Sequence, residues 1–292
     1  MSDPVITLSC GAVRGRWRGE PGDPGASAAF LGIPFAEPPV GERRFAAPVP
    51  VPPWDGVRDA TAYGATAQRG DTGITLIPEP SVEGDSTLNV NVFTPRPGDT
   101  DAALPVLVYI HGGGFTSGSP ASPWYDGRAF NRDGVVTVSI SYRLGFDGFG
   151  EIPDAPTNRG VRDWLAALEW VQRHIRDFGG DPTRVTIAGQ SAGGAAVLTL
   201  LGMPAAQHLF HSAWRCRRLS ATSPQNSLAR ARSAWPNSPV CPPRSTASAP
   251  SPRVASSRCS RTPRRRSRMI PSRRCAASFA RASRGDRSST AI

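Results

Sequence analysis

The chain has 292 residues, 34 of them arginine and none lysine, against 23 acids, giving a formal net charge of +11. Its length suffices for one large domain or two small ones, with a substantial core. The charge is divided: through His211 there are 16 Arg against 22 Asp and Glu, a net −6, whereas 212–292 holds 18 Arg and the single acid Asp286, a net +17. The body is thus mildly acidic and carries no bias toward nucleic acid or anionic membrane.

Four of the five cysteines (Cys216, Cys241, Cys259 and Cys275) lie in the basic tail without C-x-x-C spacing, which argues against a zinc site. The body holds only Cys10, as expected in a reducing compartment. Residues 1–15 lack a basic segment followed by an apolar one, and no run reaches membrane-spanning length. The expectation is a cytoplasmic protein without metal or membrane partner.

In chain order, Val5 to Leu8 and Ala12 to Trp17 alternate around Cys10-Gly11 and predict a hairpin. Phe30 to Phe45 reads as a proline-fixed loop, and Trp54-Asp55-Gly56 as a turn before an extended piece. Gln68 to Gly84 is a polar loop. Leu88 to Phe93 and Val106 to Ile110 predict strands separated by the turn-rich stretch Pro95 to Ala103. The second strand delivers His111-Gly112-Gly113-Gly114-Phe115. Three successive glycines let main-chain N–H groups approach a ligand with no Cβ in the way, the geometry an oxyanion hole requires; a flexible turn is the alternative.

Val135 to Ser141 is a continuous apolar, β-branched run and predicts a buried strand. From Val161, the residues Trp164, Leu165, Leu168, Val171, Ile175 and Phe178 fall three or four apart, one stripe of a helix closed by Gly179-Gly180. His174 borders that stripe and reads as structural or exposed. Val185 to Ala188 is a second buried strand, followed by Gly189-Gln190-Ser191-Ala192-Gly193 and a small-residue helix, Ala192 to Leu201. G-x-S-x-G between strand and helix makes a sharp turn in which the serine takes a strained backbone angle, with Ser191 Oγ exposed above the sheet. The N–H of Ala192, at the helix start, can stabilise negative charge at the same spot. Helices between parallel strands give the right-handed crossovers of a doubly wound sheet.

The run Phe178 to Gly193 is similar to the serine signature of the type B carboxylesterases, the carboxylesterase and cholinesterase family of α/β-hydrolases. Asp85 to Phe93 resembles a second signature of that family, with Thr87 where cysteine is usual, so the disulfide-closed loop of secreted members is absent. Leu31 to Gly41 resembles the family's entry segment. Tyr142-Arg143-Leu144-Gly145 fits type B better than the hormone-sensitive-lipase-like esterases, which also use H-G-G-G. Trp164 stands where the family has glutamine. The likeness runs from about Gly11 to about His211. It implies an α/β fold, the α/β-hydrolase with its mostly parallel doubly wound sheet, and ester hydrolysis through a serine acyl-enzyme without cofactor. It also implies Gly113 and Gly114 as the oxyanion donors that join Ala192, and His111 as a structural residue. The 68–84 loop covers the gorge in cholinesterases; here it has no tryptophan, which argues against choline esters.

Across 212–292 there are 18 Arg, 18 Ser and 9 Pro in 81 positions but seven Leu, Ile, Val or Phe. Such a composition cannot bury enough apolar surface to offset chain entropy, and it predicts disorder with no legible strand. Out-of-frame translation of a GC-rich gene is the simplest account of it. On this reading 1–211 is the N-terminal part of a carboxylesterase catalytic domain. Its sheet would be incomplete, the C-terminal strands absent and a central edge left open. The family order is serine, then acid, then histidine; after Ser191 this chain offers His208 and His211 and only then Asp286. Weak or absent activity toward a small-molecule ester is the expectation. Two other functions stay open: nonspecific nucleic-acid binding through Arg264-Arg265-Arg266 and Arg273-Arg274, against which the scarcity of aromatics argues, and a non-catalytic binding member, against which the retained serine argues.

Overall fold

In the computed structural model of the chain, the described residues are 2–68, 70, 73 and 77–216. They fall in one unit, Met1–Ser238, and the second, Pro239–Ile292, lies outside them, as do the expectations of disorder for 217–292. The N-terminal hairpin forms as predicted, β1 (Val5–Leu8) pairing antiparallel with β2 (Gly11–Arg14) and Leu8 opposite Gly11. The extended piece expected through Trp17 instead breaks at Gly15, and β3 (Arg16–Arg18) joins a different sheet. A Cβ at Gly15 would lie 2.7 Å from the Ala29 carbonyl oxygen, so the chain crosses too closely there for any larger residue.

The proline-fixed loop expected from Phe30 is corrected at its start: Ser27–Pro34 is an eight-residue strand, β4. Pro34 is tolerated because it closes the strand, where its missing N–H costs little. Next come β5 (Val57–Asp59), which completes the small sheet β1-β2-β5, then β6 (Asn89–Thr94) and β7 (Leu104–Ile110). After the short helix α1 (Arg128–Arg132) the chain forms β8 (Val136–Ile140), α2 (Gly145–Phe149) and α3 (Arg159–His174). It ends in β9 (Gly180–Gln190), α4 (Ala192–Leu201) and β10 (Ser212–Cys216).

The main sheet has the order β10-β9-β7-β8-β6-β4-β3. Pairings from β10 to β8 are parallel, and those of β8 with β6, β6 with β4 and β4 with β3 antiparallel, so five of the seven strands point the same way. Every residue of β6 and β8 is buried. Successive side chains face opposite sides of a sheet, so both faces are covered there. Most polar residues in these strands are paired, although the Thr137 hydroxyl is not: Asn89 donates to the carbonyls of Ala65 (2.8 Å) and Ser86 (2.9 Å), and Asn91 to Ser139 Oγ (3.0 Å).

Helix α3 buries its apolar stripe and, with it, Asp163. That carboxylate accepts from Arg143 Nε (2.9 Å), Nη2 (2.7 Å) and backbone N–H (2.9 Å), a forked pair that offsets the cost of burying two charges. Arg159, fully buried, donates to the carbonyls of Phe146, Asp147, Gly150 and Pro156.

The absence of a strand beyond 211 is overturned for five residues. Ser212–Cys216 pairs parallel with β9, Ser212 opposite Thr186 and Cys216 opposite Gln190. Backbone pairing makes this strand, since Ser-Ala-Trp-Arg-Cys shows no apolar alternation, and Ser212 to Arg215 are exposed. Consequently, among the described residues the sheet edge belongs to β10, and β9 is paired on both sides.

Candidate active site

β9 runs apolar to Ala188 and ends at Gly189-Gln190; Ser191 then turns the chain into α4 with φ 55° and ψ −118°. A residue other than glycine in that conformation carries strain on the order of 1–3 kcal/mol, so the surroundings must hold it. They do so from three sides. The Ser191 N–H donates to the Cys216 carbonyl (3.2 Å), tying the turn to the end of β10, and its carbonyl accepts from Ala195 in the first turn of α4 (3.1 Å). A Cβ at Gly189 would overlap the Gly193 backbone, and one at Gly193 would overlap the Ile110 carbonyl oxygen. Both glycines of G-x-S-x-G are therefore required by close backbone approach, the second by contact with the neighbouring strand.

That neighbour is β7, parallel to β9 with Ile110 opposite Gly189, so the two strands release their loops at one rim. The β7 loop is the predicted glycine run. Gly113 (φ 107°) and Gly114 (φ 64°) are left-handed, and so is Phe115 (φ 65°), unusual for a bulky side chain. The Gly113 carbonyl accepts from Ser117 (2.9 Å) and Thr116 (3.1 Å), and the Phe115 carbonyl from Gly145 (2.7 Å). These bonds engage the carbonyls of Gly113 and Phe115. No hydrogen bond among the described residues occupies the N–H groups of Gly113, Gly114 or Ala192. The loop touches the elbow, for a Cβ at Gly112 would lie 2.6 Å from Gln190 Nε2.

The four histidines lie elsewhere or face away. His111 is buried at the end of β7, its ring stacked on Tyr142 at 4.4 Å and Nδ1 on the Gly112 carbonyl at 2.8 Å. Burial pulls its pKa down to about 4, so it is neutral, as befits the structural role expected. His174 is also buried, against Trp170, and burial together with the Arg173 charge lowers it to about 4. His208 and His211 are exposed. His211 donates its N–H to Val185, six positions before Ser191, about 20 Å along an extended strand. No imidazole among the described residues hydrogen-bonds Ser191 Oγ, and Asp286 lies outside them.

Two participants escaped sequence reasoning. Gln190 occupies the free position of the G-x-S-x-G pattern, and Tyr125 sits in a loop with no signal of its own. Burial raises the pKa of the Tyr125 hydroxyl, tempered by hydrogen bonds from the Gln190 side chain and the Gly112 backbone. On the same rim, a cavity of about 400 Å³ opens between Val40, Arg44, Thr87 and Leu144. Among the described residues, no cluster of His, Cys, Asp and Glu could hold a metal ion and no helix is long and apolar enough to cross a membrane.

A mixed sheet of this order, with a strained serine between β9 and α4 and a glycine loop on the adjacent strand, defines an α/β-hydrolase. The family model of the carboxylesterase family matches residues 2–214, and the chain belongs to that family. It is 42% identical over 224 residues to carboxylesterase 1F of Mus musculus and to liver carboxylesterase 1F of Rattus norvegicus, and 40% identical to carboxylesterase 1D of Rattus norvegicus. In each case 73% of this chain is covered, and the chain spans only 39–40% of the relative's length.

Proposed function

We propose that the chain carries the nucleophile and oxyanion parts of a serine carboxylic ester hydrolase, with Ser191 as nucleophile and the N–H groups of Gly113, Gly114 and Ala192 as oxyanion donors. The observation that carries this reading is the shared rim: the elbow glycine Gly193 lies against the carbonyl of Ile110, immediately before the glycine loop. Ser191 Oγ attacks the ester carbonyl carbon, and the oxygen that gains charge is met by preorganised N–H donors. Collapse expels the alcohol and leaves an acyl-enzyme, which water then hydrolyses. The substrate is a small carboxylic ester, and the scheme needs neither metal nor organic cofactor. The names of the relatives, carboxylesterases all, agree with it.

Attack also needs a base for the serine proton, and none of the four imidazoles hydrogen-bonds Ser191. Loss of the base typically removes about 10⁶ of rate while binding and the oxyanion site retain roughly 10³ over water. Turnover by this chain alone is accordingly expected to be slow. The test is labelling with a fluorophosphonate, read by the mass of the peptide that holds residue 191. Slow, stoichiometric modification that disappears in Ser191→Ala supports the reading; modification elsewhere, or equal modification of the variant, sinks it. Rapid turnover of p-nitrophenyl acetate by the purified chain would instead refute the missing base.

A further inference from the structure

The glycine loop that follows β7 closes on itself. The Gly113 carbonyl accepts from the N–H groups of Thr116 (3.1 Å) and Ser117 (2.9 Å) and from Ser117 Oγ (3.1 Å). The far end of the loop returns to its start: a Cβ at Gly118 (φ 107°) would lie 2.3 Å from the Gly112 carbonyl oxygen and 2.4 Å from His111 Nδ1. The Gly118 N–H donates out of this ring, to Gln68 Oε1 at 2.6 Å. Gln68 is only 4% exposed and uses both ends of its amide, for Nε2 donates to the Glu79 carbonyl at 2.6 Å. An N–H on one side and a carbonyl on the other fix which atom of the amide is oxygen and which is nitrogen. Gln68 is itself pinned, its carbonyl accepting from Thr66 Oγ1 (3.1 Å) and Ser81 Oγ (2.9 Å). The Thr66 N–H donates to the Val82 carbonyl (3.0 Å), and the Val82 N–H to Thr66 Oγ1 (2.9 Å). Segments 66–68 and 79–82 are thereby laced together, and one buried amide joins them to the glycine loop.

We propose that Gln68 is a positioning residue: its buried amide clamps Gly118 to the laced segments and so holds the Gly113 and Gly114 N–H groups in the orientation that receives the oxyanion. This rests on the reading of the loop as the oxyanion site beside Ser191. A clamp is needed because Gly113 and Gly114, at φ 107° and 64°, belong to the residue type with the most backbone freedom to lose. An amide is the group that fits. It accepts from Gly118 and donates to Glu79 at once, and it stays uncharged at every pH; a carboxylate could only accept, and would set a negative charge on the loop that must receive one. Asn91 and Ser139 hold the Pro120 carbonyl (3.2 Å each), so the segment stays anchored to β6 and β8 when the clamp is cut.

The test compares the full chain with Gln68→Met, which keeps the side chain's length and removes both hydrogen bonds, and with Gln68→Glu. Residue-resolved amide exchange follows Gly118, whose acceptor is deleted, and Thr116 and Ser117, which report on the ring, with β6 and β8 as internal controls. In Gln68→Met all three loop amides are expected to exchange about tenfold faster while the control strands keep their protection. Gln68→Glu adds a readout that lost packing would not produce. The introduced carboxyl, while protonated, accepts from Gly118 and donates to Glu79 as the amide does; once ionised it cannot donate. Burial raises the pH at which such a carboxyl ionises. The ratio of variant to parent exchange should therefore stay near one at about pH 5 and reach the Gln68→Met value at about pH 8, an interval in which His111, with its pKa of about 4, stays neutral. Where Ser191 labels with fluorophosphonate, the maximal rate in Gln68→Met should fall about tenfold at unchanged half-saturating reagent, because the donors act on charge that develops during reaction. Acceleration confined to Gly118, acceleration in β6 and β8 equal to that in the loop, or a Gln68→Glu ratio that does not change with pH overturns the proposal. Should Gln68→Met not fold, the Gln68→Glu ratio decides alone. A parent chain that never labels yet shows the exchange pattern would leave the clamp standing and remove Ser191 as nucleophile.

Discussion

Gly193 shows how one missing methyl sets the geometry of the elbow. Its α-carbon abuts the Ile110 carbonyl, so Gly193→Ala must push the start of α4 away from β7. A cost of about 1–3 kcal/mol in urea unfolding is expected, with loss of fluorophosphonate labelling; unchanged labelling would show that the elbow tolerates the shift. Gly114 differs, because a Cβ there meets nothing nearer than Thr116 Oγ1 at 3.8 Å, and only its left-handed φ opposes substitution. His111 provides a pH test. Its folded pKa, about 4, lies below the ordinary value of 6.5, so between those values the unfolded chain binds the proton and the folded chain does not. Stability contributed by the neutral ring is complete above pH 6.5 and declines as pH falls toward 4, by up to about 3 kcal/mol. The difference in unfolding free energy between the parent and His111→Phe should shrink over that interval; a flat difference would place the proton elsewhere.

Among the elements, α3 holds the polar pair that locks it to the loop after β8. Asp163→Asn leaves the Arg143 guanidinium buried without its counter-charge, and a loss of about 3–5 kcal/mol is expected by chemical denaturation. A loss under 1 kcal/mol would mean that water reaches the arginine. Trp164, one residue on, packs among Phe115, Tyr142 and Phe149, so the same helix backs the residue that ends the glycine run. Most of these elements were legible. Val136–Ile140 and Val185–Ala188 are apolar and β-branched, and the α3 stripe continues through the 3-10 turn Ile175–Phe178, which Gly179 closes in the left-handed conformation at φ 82°. Ser191 and the loop glycines could be found by spacing because close backbone approach or a left-handed φ favours glycine there. β10 could not, since its strand state comes from β9 and not from its own side chains. Nor could Gln190 and Tyr125, which are separated by 64 intervening residues.

For the molecule as a whole, the sheet is asymmetric. On one side it ends in the three-residue strand β3; on the other β10 presents an edge with no partner among the described residues and an exposed Trp214. Such edges template pairing with another chain. Trp214→Lys is expected to lower self-association in sedimentation velocity while changing stability by less than about 0.5 kcal/mol, as for other exposed positions. Unaltered association would direct attention to another surface. The hydrogen bond from Ser191 N–H to the Cys216 carbonyl has a wider consequence. As the polypeptide emerges from the ribosome, the elbow at residue 191 lacks this tie until 25 further residues have followed and docked. Any force, protease or chaperone that peels away that outermost ribbon loosens the elbow without ever touching it.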